Sequence, residues 1–142
     1  MIEIKGMKFP LDRKYYTKNG AHLWLKSEKD LIEIGMDAFA AETIGTIAFI
    51  IVDKKRVKGG EVIGSFESTK YISKLFSPVS GEIIDVNNRV LKNPSKINKN
   101  PYKSWIFKTK PDDNIDECRY IIKDRDKILS WITEEIKNLE RK

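Results

Sequence analysis

Lys70 is the residue whose surroundings most clearly indicate chemistry. Val62, Gly64 and Phe66 recur at a period of two residues on one side of Lys70, and Ile72, Lys74 and Phe76 do so on the other, which predicts a β-hairpin with Lys70 at its tip. Gly59 and Gly81 each lie eleven residues from Lys70 and would form the feet of the hairpin. An amine on a flexible four-carbon stem at such a turn can be modified by another enzyme. The alternative is an ordinary surface lysine.

Few other residues could support catalysis or bind a metal. Cys118 is the single cysteine, which excludes an intramolecular disulfide, a CxxC redox pair and a cysteine zinc cluster. His22 is the single histidine, so neither a metal site nor a catalytic dyad is predicted around it. We therefore predict no catalytic residues and no metal ligands.

The length and charge of the chain exclude several classes of protein. A chain of 142 residues suits one domain with a moderate core. The net charge of +6 comes from cations scattered among acids, which favours a mixed-charge surface over nucleic-acid binding. No apolar stretch is long enough to cross a membrane, and the charged start does not resemble a signal peptide. A cytoplasmic location without membrane contact is expected by default.

The remaining pattern predicts a β-rich chain with a helical end. Strands are expected at 21–26, 31–34, 46–52 (buried), 82–86 and 104–109, with a short helix at 37–42 and a loop holding Pro94 and Pro101. Apolar residues from about Glu117 onward recur at helical spacing, which predicts a long amphipathic helix: Ile121, Ile128, Ile132, Ile136 and Leu139. This helix is expected to pack against the sheet, with partner docking as the alternative. The predicted organisation is a lead-in at 1–14, a domain at 15–111 and a helical extension at 112–142.

Two segments around Lys70 carry a resemblance to a known family. Glu67-Ser68-Thr69-Lys70, followed by Ser77-Pro78-Val79-Ser80-Gly81-Glu82, resembles the lipoyl-attachment region of the glycine cleavage system H protein family. Further matches occur in the family's order, over about residues 15 to 111: Tyr16, His22-x-Trp24, Gly35-Met36, Gly45-x-Ile47, Val86-Asn87, Leu91-x-Asn93-Pro94, Ile97-Asn98, Asn100-Pro101-Tyr102, Trp105 and Lys108-Thr109-Lys110-Pro111.

The resemblance implies a fold and a cofactor. The fold would be mainly β, the barrel-sandwich hybrid or hammerhead of lipoyl and biotinyl domains, with short helices and a C-terminal amphipathic helix. Lipoate would be attached covalently to Lys70, and the lipoate-attaching enzyme would recognise Glu67. Gly59 and Gly81 would shape the turns at the hairpin feet. Biotin is disfavoured because biotin carriers usually have methionine on both sides of the lysine.

The resemblance also implies a function. The protein would be a non-catalytic carrier that shuttles an aminomethyl group between enzymes on the Lys70 arm. Its partners would be glycine decarboxylase, aminomethyltransferase and dihydrolipoyl dehydrogenase. Glycine catabolism would be the pathway.

Some positions depart from the family pattern and keep alternatives open. Leu23 replaces the glutamate that in H proteins helps line the cleft for the loaded arm, and Thr43 stands at a cleft position that can be histidine. The arm could instead serve a sulfur carrier of a heterodisulfide-reductase-like system, or a relay that passes on lipoyl groups. An unmodified binding module that docks through its C-terminal helix is the alternative of a different class.

Overall fold

The computed structural model describes residues 1–141 and consists mainly of short antiparallel strands. The strands are β1 (Ile2–Ile4), β2 (Met7–Phe9), β3 (Lys14–Tyr16), β4 (Leu23–Glu28), β5 (Leu31–Met36), β6 (Ile47–Val52), β7 (Arg56–Val57), β8 (Val62–Ser68), β9 (Ile72–Phe76), β10 (Gly81–Val86), β11 (Phe107–Pro111) and β12 (Ile121–Ile122). The α-helices are α1 (Ala38–Thr43), α2 (Asn88–Lys92), α3 (Ser95–Lys99) and α4 (Arg125–Glu140). A mainly β chain with short helices and a C-terminal helix is therefore confirmed.

The strands form one large sheet and two small ones. The large sheet has the order β12-β3-β4-β5-β11-β10-β7, and its neighbouring strands are antiparallel. A second sheet contains β6, β8 and β9 with β8 in the centre, and β1 pairs with β2 separately. The predicted hairpin around Lys70 is thus the β8–β9 pair.

Strand β6 is less buried than predicted. We expected 46–52 to be a buried strand because the segment is almost continuously apolar. Only Ile47 and Ile50 are buried, while Phe49 and Ile51 are exposed, because β6 lies at the edge of the small sheet. The opposite edge strand, β9, exposes Ile72 and buries Leu75.

Two hydrophobic clusters hold these elements together. The first joins the hairpin to the large sheet through residues such as Ile63, Leu75 and Ile34. The second joins α4 to β1, β2 and the opposite part of the sheet: Ile2, Met7, Phe9, Tyr15, Trp24, Ala38, Ile128, Ile132 and Ile136. Helix α4 therefore packs against the body of the protein, as expected from its amphipathic pattern.

Three predicted boundaries are wrong. The long helix begins at Arg125 rather than near Glu117, because Ile121 and Ile122 instead pair with β3. Asp124 caps the helix by accepting a hydrogen bond from the backbone N–H of Lys127. The predicted proline-containing loop includes the one-turn helices α2 and α3, and the last predicted strand lies at Phe107–Pro111.

Within residues 1–141, no helix is long and apolar enough to cross a membrane.

Candidate functional site

The Ser68 side chain fixes the turn that presents Lys70. Its hydroxyl accepts hydrogen bonds from the backbone N–H groups of Lys70 (3.2 Å) and Tyr71 (3.1 Å), and donates one to the carbonyl of Ile44. The Ser68 backbone N–H donates to the Tyr71 carbonyl at 2.8 Å. Two-residue hairpin loops usually adopt turns with positive φ, but neither Thr69 nor Lys70 has one. The side-chain bonds of Ser68 therefore stabilise a turn that the strands alone would not favour.

The loop between α1 and β6 contacts the same turn and supports it. Thr69 N–H donates to the carbonyl of Thr46 at 3.1 Å. Gly45, at φ +81°, passes so close that a Cβ there would lie 2.2 Å from Thr69 Oγ1. Asn98 of α3 anchors this loop: its amide donates to the carbonyl of Gly45 at 2.8 Å and its carbonyl accepts from Ile47 N–H at 2.9 Å.

The two side chains expected to meet the attaching enzyme are both accessible. Lys70 and Glu67 are exposed, three residues apart around the tip. Lys70 makes no ion pair within residues 1–141, so its amine is not held by a carboxylate. Glu67 lies on the outer face of the small sheet, opposite Ile72 of β9 and Phe49 of β6. The tip therefore presents an amine and a carboxylate on a rigid turn.

The two glycines at the feet lie where the chain crosses other backbone. Gly59 N–H donates to Ser80 Oγ at 2.8 Å, which ties the two arms together. Gly81 begins β10, and a Cβ there would lie 2.2 Å from the Lys110 carbonyl of β11. Both glycines therefore make close backbone contacts at the base of the hairpin.

A cleft of about 300 Å³ lies between the hairpin and the large sheet. Tyr71, directly after Lys70, lines it together with Leu23 and Thr43. Leu23 and Thr43, two of the positions at which the sequence departs from the H-protein pattern, thus lie in one cavity next to the lysine turn. The rest of the wall is mainly apolar and includes Tyr16, Met36, Phe39, Phe66, Leu75 and Phe76.

The charged groups of this cleft are basic. Lys18 and Lys74 line it, and none of the described lining residues is aspartate or glutamate. His22 also lines the wall. The cleft therefore offers an apolar surface with positive charge and no carboxylate for a bound cation.

The imidazole ring of His22 has a carboxylate at each nitrogen and an aromatic ring against each face. Its Nδ1 lies 3.0 Å from Asp37 Oδ2 and its Nε2 lies 2.9 Å from Glu135 Oε1. The ring stacks between Phe39 at 4.2 Å and Trp131 at 4.6 Å. Burial by itself lowers the pKa of His22, but the two carboxylates outweigh it and raise the pKa to about 9. A protonated His22 therefore donates to both and joins α4 to the start of α1.

Sequence reasoning did not find this group. It identified His22 as the single histidine and placed Asp37 at the start of a short helix, where Asp37 does accept a hydrogen bond from Ala40 N–H at 3.0 Å. The link from Asp37 to His22, and from His22 to Glu135 at a separation of 113 residues, has no local signal. Residues 1–141 contain no cluster of histidine, cysteine, aspartate or glutamate side chains suited to a metal ion.

Comparisons with known proteins agree with this architecture. The profile of the family described as "Glycine cleavage H-protein" matches residues 13–134. The chain is 36% identical over 135 residues to the probable glycine cleavage system H protein of Pyrococcus abyssi, covering 93% of this chain and 98% of that one. It is 37% identical over 113 residues to the probable glycine cleavage system H protein 3 of Sulfurisphaera tokodaii, covering 78% and 82%.

A solved structure shows the same fold. The crystal structure of a glycine cleavage system H protein from Mycobacterium marinum superposes with a TM-score of 0.66 at 30% identity, covering 73% of this chain and 87% of that one. The predicted barrel-sandwich fold is thereby confirmed. The chain belongs to the glycine cleavage H-protein family, whose members are lipoyl carriers and not enzymes.

Proposed function

We propose that the protein is a lipoyl-lysine carrier, modified at Lys70, that shuttles an aminomethyl group between the enzymes of glycine cleavage. The observation that carries the proposal is the placement of Lys70, exposed at the tip of a side-chain-stabilised turn beside a cleft. Glycine decarboxylase, aminomethyltransferase and dihydrolipoyl dehydrogenase would be the partners. A cytoplasmic location stays a prediction.

The residues around Lys70 fit a covalently attached lipoyl group. The amine is exposed, and amide formation would not break an ion pair with any described residue. Neighbouring Tyr71 and the apolar wall formed by Phe66 and Phe76 offer a surface for an apolar arm. A lipoyl group supplies a strained disulfide that opens to carry a transferred group. The protein itself supplies a fixed attachment point and a sheltered surface.

Glu67, Gly59 and Gly81 keep their proposed roles. Glu67 is exposed on the outer face of the hairpin, where an attaching enzyme could contact it together with Lys70. The two glycines would hold the feet of the hairpin at their close backbone crossings. Their substitution would act through the geometry of the hairpin rather than through contact with the enzyme.

A second candidate, the sulfur carrier, is favoured by the charge of the cleft. An aminomethyl group carries a basic amine, and a charged amine is disfavoured beside Lys18 and Lys74. Leu23 offers no carboxylate to offset that repulsion. Anionic sulfur species on the arm would meet a more favourable environment. A relay that passes lipoyl groups to other proteins would need the lipoyl arm on Lys70 but would not depend on the charge of the cleft.

Mass spectrometry of the Lys70 peptide, from protein purified out of its native organism, tests the carrier function. A lipoyl adduct at Lys70 is expected, and the Lys70→Arg protein should lack it. Unmodified Lys70 in native material would refute the proposal.

The cargo requires a second experiment. The lipoylated protein is supplied with aminomethyl groups and incubated with aminomethyltransferase. Efficient turnover would count against the sulfur carrier, whereas no turnover together with sulfur masses on the native peptide would favour it.

A further inference from the structure

The segment from Val86 to Phe107 carries nearly all of the excess positive charge of the chain. It contains five basic residues and no acidic one: Arg89, Lys92, Lys96, Lys99 and Lys103. The whole chain has 27 basic and 21 acidic residues, for a net charge of +6. The rest of the protein is therefore almost neutral.

These five side chains, here named the basic surface, are exposed and unpaired. None makes an ion pair within the described part of the chain. Elsewhere many cations are neutralised, such as Lys26 by Asp12 at 3.5 Å and Arg56 by Asp112 at 2.9 Å. Unpaired cations also occur elsewhere in the described chain, such as Lys55 and Lys123, so the segment is distinguished by its lack of any acidic residue.

Within each of the two short helices, the spacing of the charges places them on one face. Arg89 and Lys92 lie three residues apart in α2, and Lys96 and Lys99 lie three apart in α3. Like charges at this spacing repel each other and slightly destabilise a helix. A cation near a helix C-terminus interacts favourably with the terminal carbonyls, but this does not explain Lys103 or the lack of acids. Stability alone therefore gives no reason for the arrangement.

The basic surface adjoins the loop that supports the lysine turn. Asn98, between Lys96 and Lys99 in α3, bonds to the carbonyls of Ala41 and Gly45 at 2.9 and 2.8 Å. A Cβ on Gly45 would in turn lie 3.2 Å from Lys70 Cγ. Helix α3 is therefore linked to the Lys70 turn through a single loop, and an enzyme that receives the arm would come close to it.

We propose that the basic surface of α2 and α3 docks on an acidic rim around the active-site entrance of an enzyme that receives the Lys70 arm. The inference rests on the proposed carrier function and adds the recognition chemistry of the partner. Complementary charge raises the rate of encounter. A protein partner is favoured over nucleic acid because the surface lies beside a residue whose arm would enter a protein.

The test measures binding without the arm. The Lys70→Arg protein is titrated at low salt with purified glycine decarboxylase, aminomethyltransferase and dihydrolipoyl dehydrogenase from the same organism. Adding Lys96→Glu and Lys99→Glu should weaken binding to at least one enzyme by about tenfold or more. A matched control, Lys127→Glu with Lys137→Glu, reverses two exposed charges on α4 and should change the Kd by less than about twofold. If the glutamate pair does not fold, Lys96→Gln with Lys99→Gln replaces it.

The outcomes separate this inference from the carrier function, which the Lys70 peptide mass tests independently. Equal losses for both charge pairs, or no binding of the Lys70→Arg protein to any of the three enzymes, would overturn the docking surface. So would salt-dependent binding of duplex DNA that Lys96→Glu with Lys99→Glu abolishes while enzyme binding stays unchanged. A selective loss of enzyme affinity would support it.

Discussion

The protonated state of His22 should make the stability of the protein depend on pH. The folded protein raises the pKa of His22 from 6.5 to about 9, despite the opposing effect of burial, because Asp37 and Glu135 face its two nitrogens. At 1.36 kcal/mol for each pKa unit, this difference corresponds to ~3 kcal/mol of folding free energy. The free energy of unfolding of an ordinary domain is about 5–15 kcal/mol, so the contribution of His22 is a large part of it.

The sign follows from which state binds the proton more tightly. The folded state holds it more tightly than the unfolded chain, so the contribution is fully present below pH 6.5. It is lost as the pH rises through about 9, the folded-state pKa. Deprotonation would leave one of the two carboxylates without a donor from the ring, and the contact between α4 and α1 should weaken.

Two measurements check this prediction. His22 is the single histidine, so its ring proton signal in an NMR titration needs no assignment, and it should titrate near pH 9. Urea unfolding at pH 6 to 10 should show the loss of free energy in the wild type and not in His22→Gln. The difference between the two proteins cancels the contributions of all other groups, which both proteins share.

The Glu135→Gln variant distinguishes the ion pairs from general burial. It keeps His22 and Asp37 but removes one carboxylate, so the pKa of His22 should fall and the pH-dependent loss should shrink. A His22 signal that titrates at pH 6.5 or below in the wild type would refute the reasoning. An unchanged pH dependence in His22→Gln would do the same.

Three further predictions concern the lysine turn and the helix. Lys70→Arg should abolish lipoylation, seen by mass spectrometry, while the free energy of unfolding changes by less than about 0.5 kcal/mol, as for an exposed site; a loss of folding would make Lys70 structural. Ser68→Ala should cost about 0.5–1.5 kcal/mol, because the exposed Lys70 and Tyr71 N–H groups exchange the hydroxyl for water, and should slow lipoylation in a time course; an unchanged rate would show that the hydroxyl does not preorganise the turn. Ile132→Ala should cost about 2–5 kcal/mol in urea unfolding because the side chain is fully buried, whereas Leu139→Ala, on the same helix but 46% exposed, should cost much less; equal costs would contradict the packing of α4.

The sequence was most informative where structure is local. The alternation on each side of Lys70 and the short polar link between the runs describe a hairpin within fifteen residues, and β8 and β9 form it. The C-terminal helix was likewise predicted from the spacing of five apolar residues, of which Ile128, Ile132 and Ile136 are buried in it and Leu139 is exposed. Its start was misplaced because Ile121 fits the helical spacing by coincidence, while its backbone pairs with Tyr16 in the sheet.

The missed features depend on distant contacts or on short elements. Helices α2 and α3 have five residues each, which is too few to establish a helical period. The apolar run of β6 cannot by itself distinguish a central strand from an edge strand. The cleft could be predicted in part, because the family resemblance identified Leu23 and Thr43, but its lack of carboxylates became clear only when the lining residues were brought together.

The exposed edge of β6 has a consequence for the behaviour of the protein at high concentration. Phe49 and Ile51 are exposed on this edge strand, and Asn98 of α3 accepts a hydrogen bond from the backbone N–H of Ile47 at its start. Uncovered apolar edges are templates for aggregation, and natural sheets protect them with flanking charges. Here β6 runs directly into Asp53-Lys54-Lys55-Arg56, four exposed charged residues. A second chain that extended the sheet past Val52 would have to desolvate these charged side chains. The charged run therefore opposes intermolecular strand pairing by the sheet that displays Lys70.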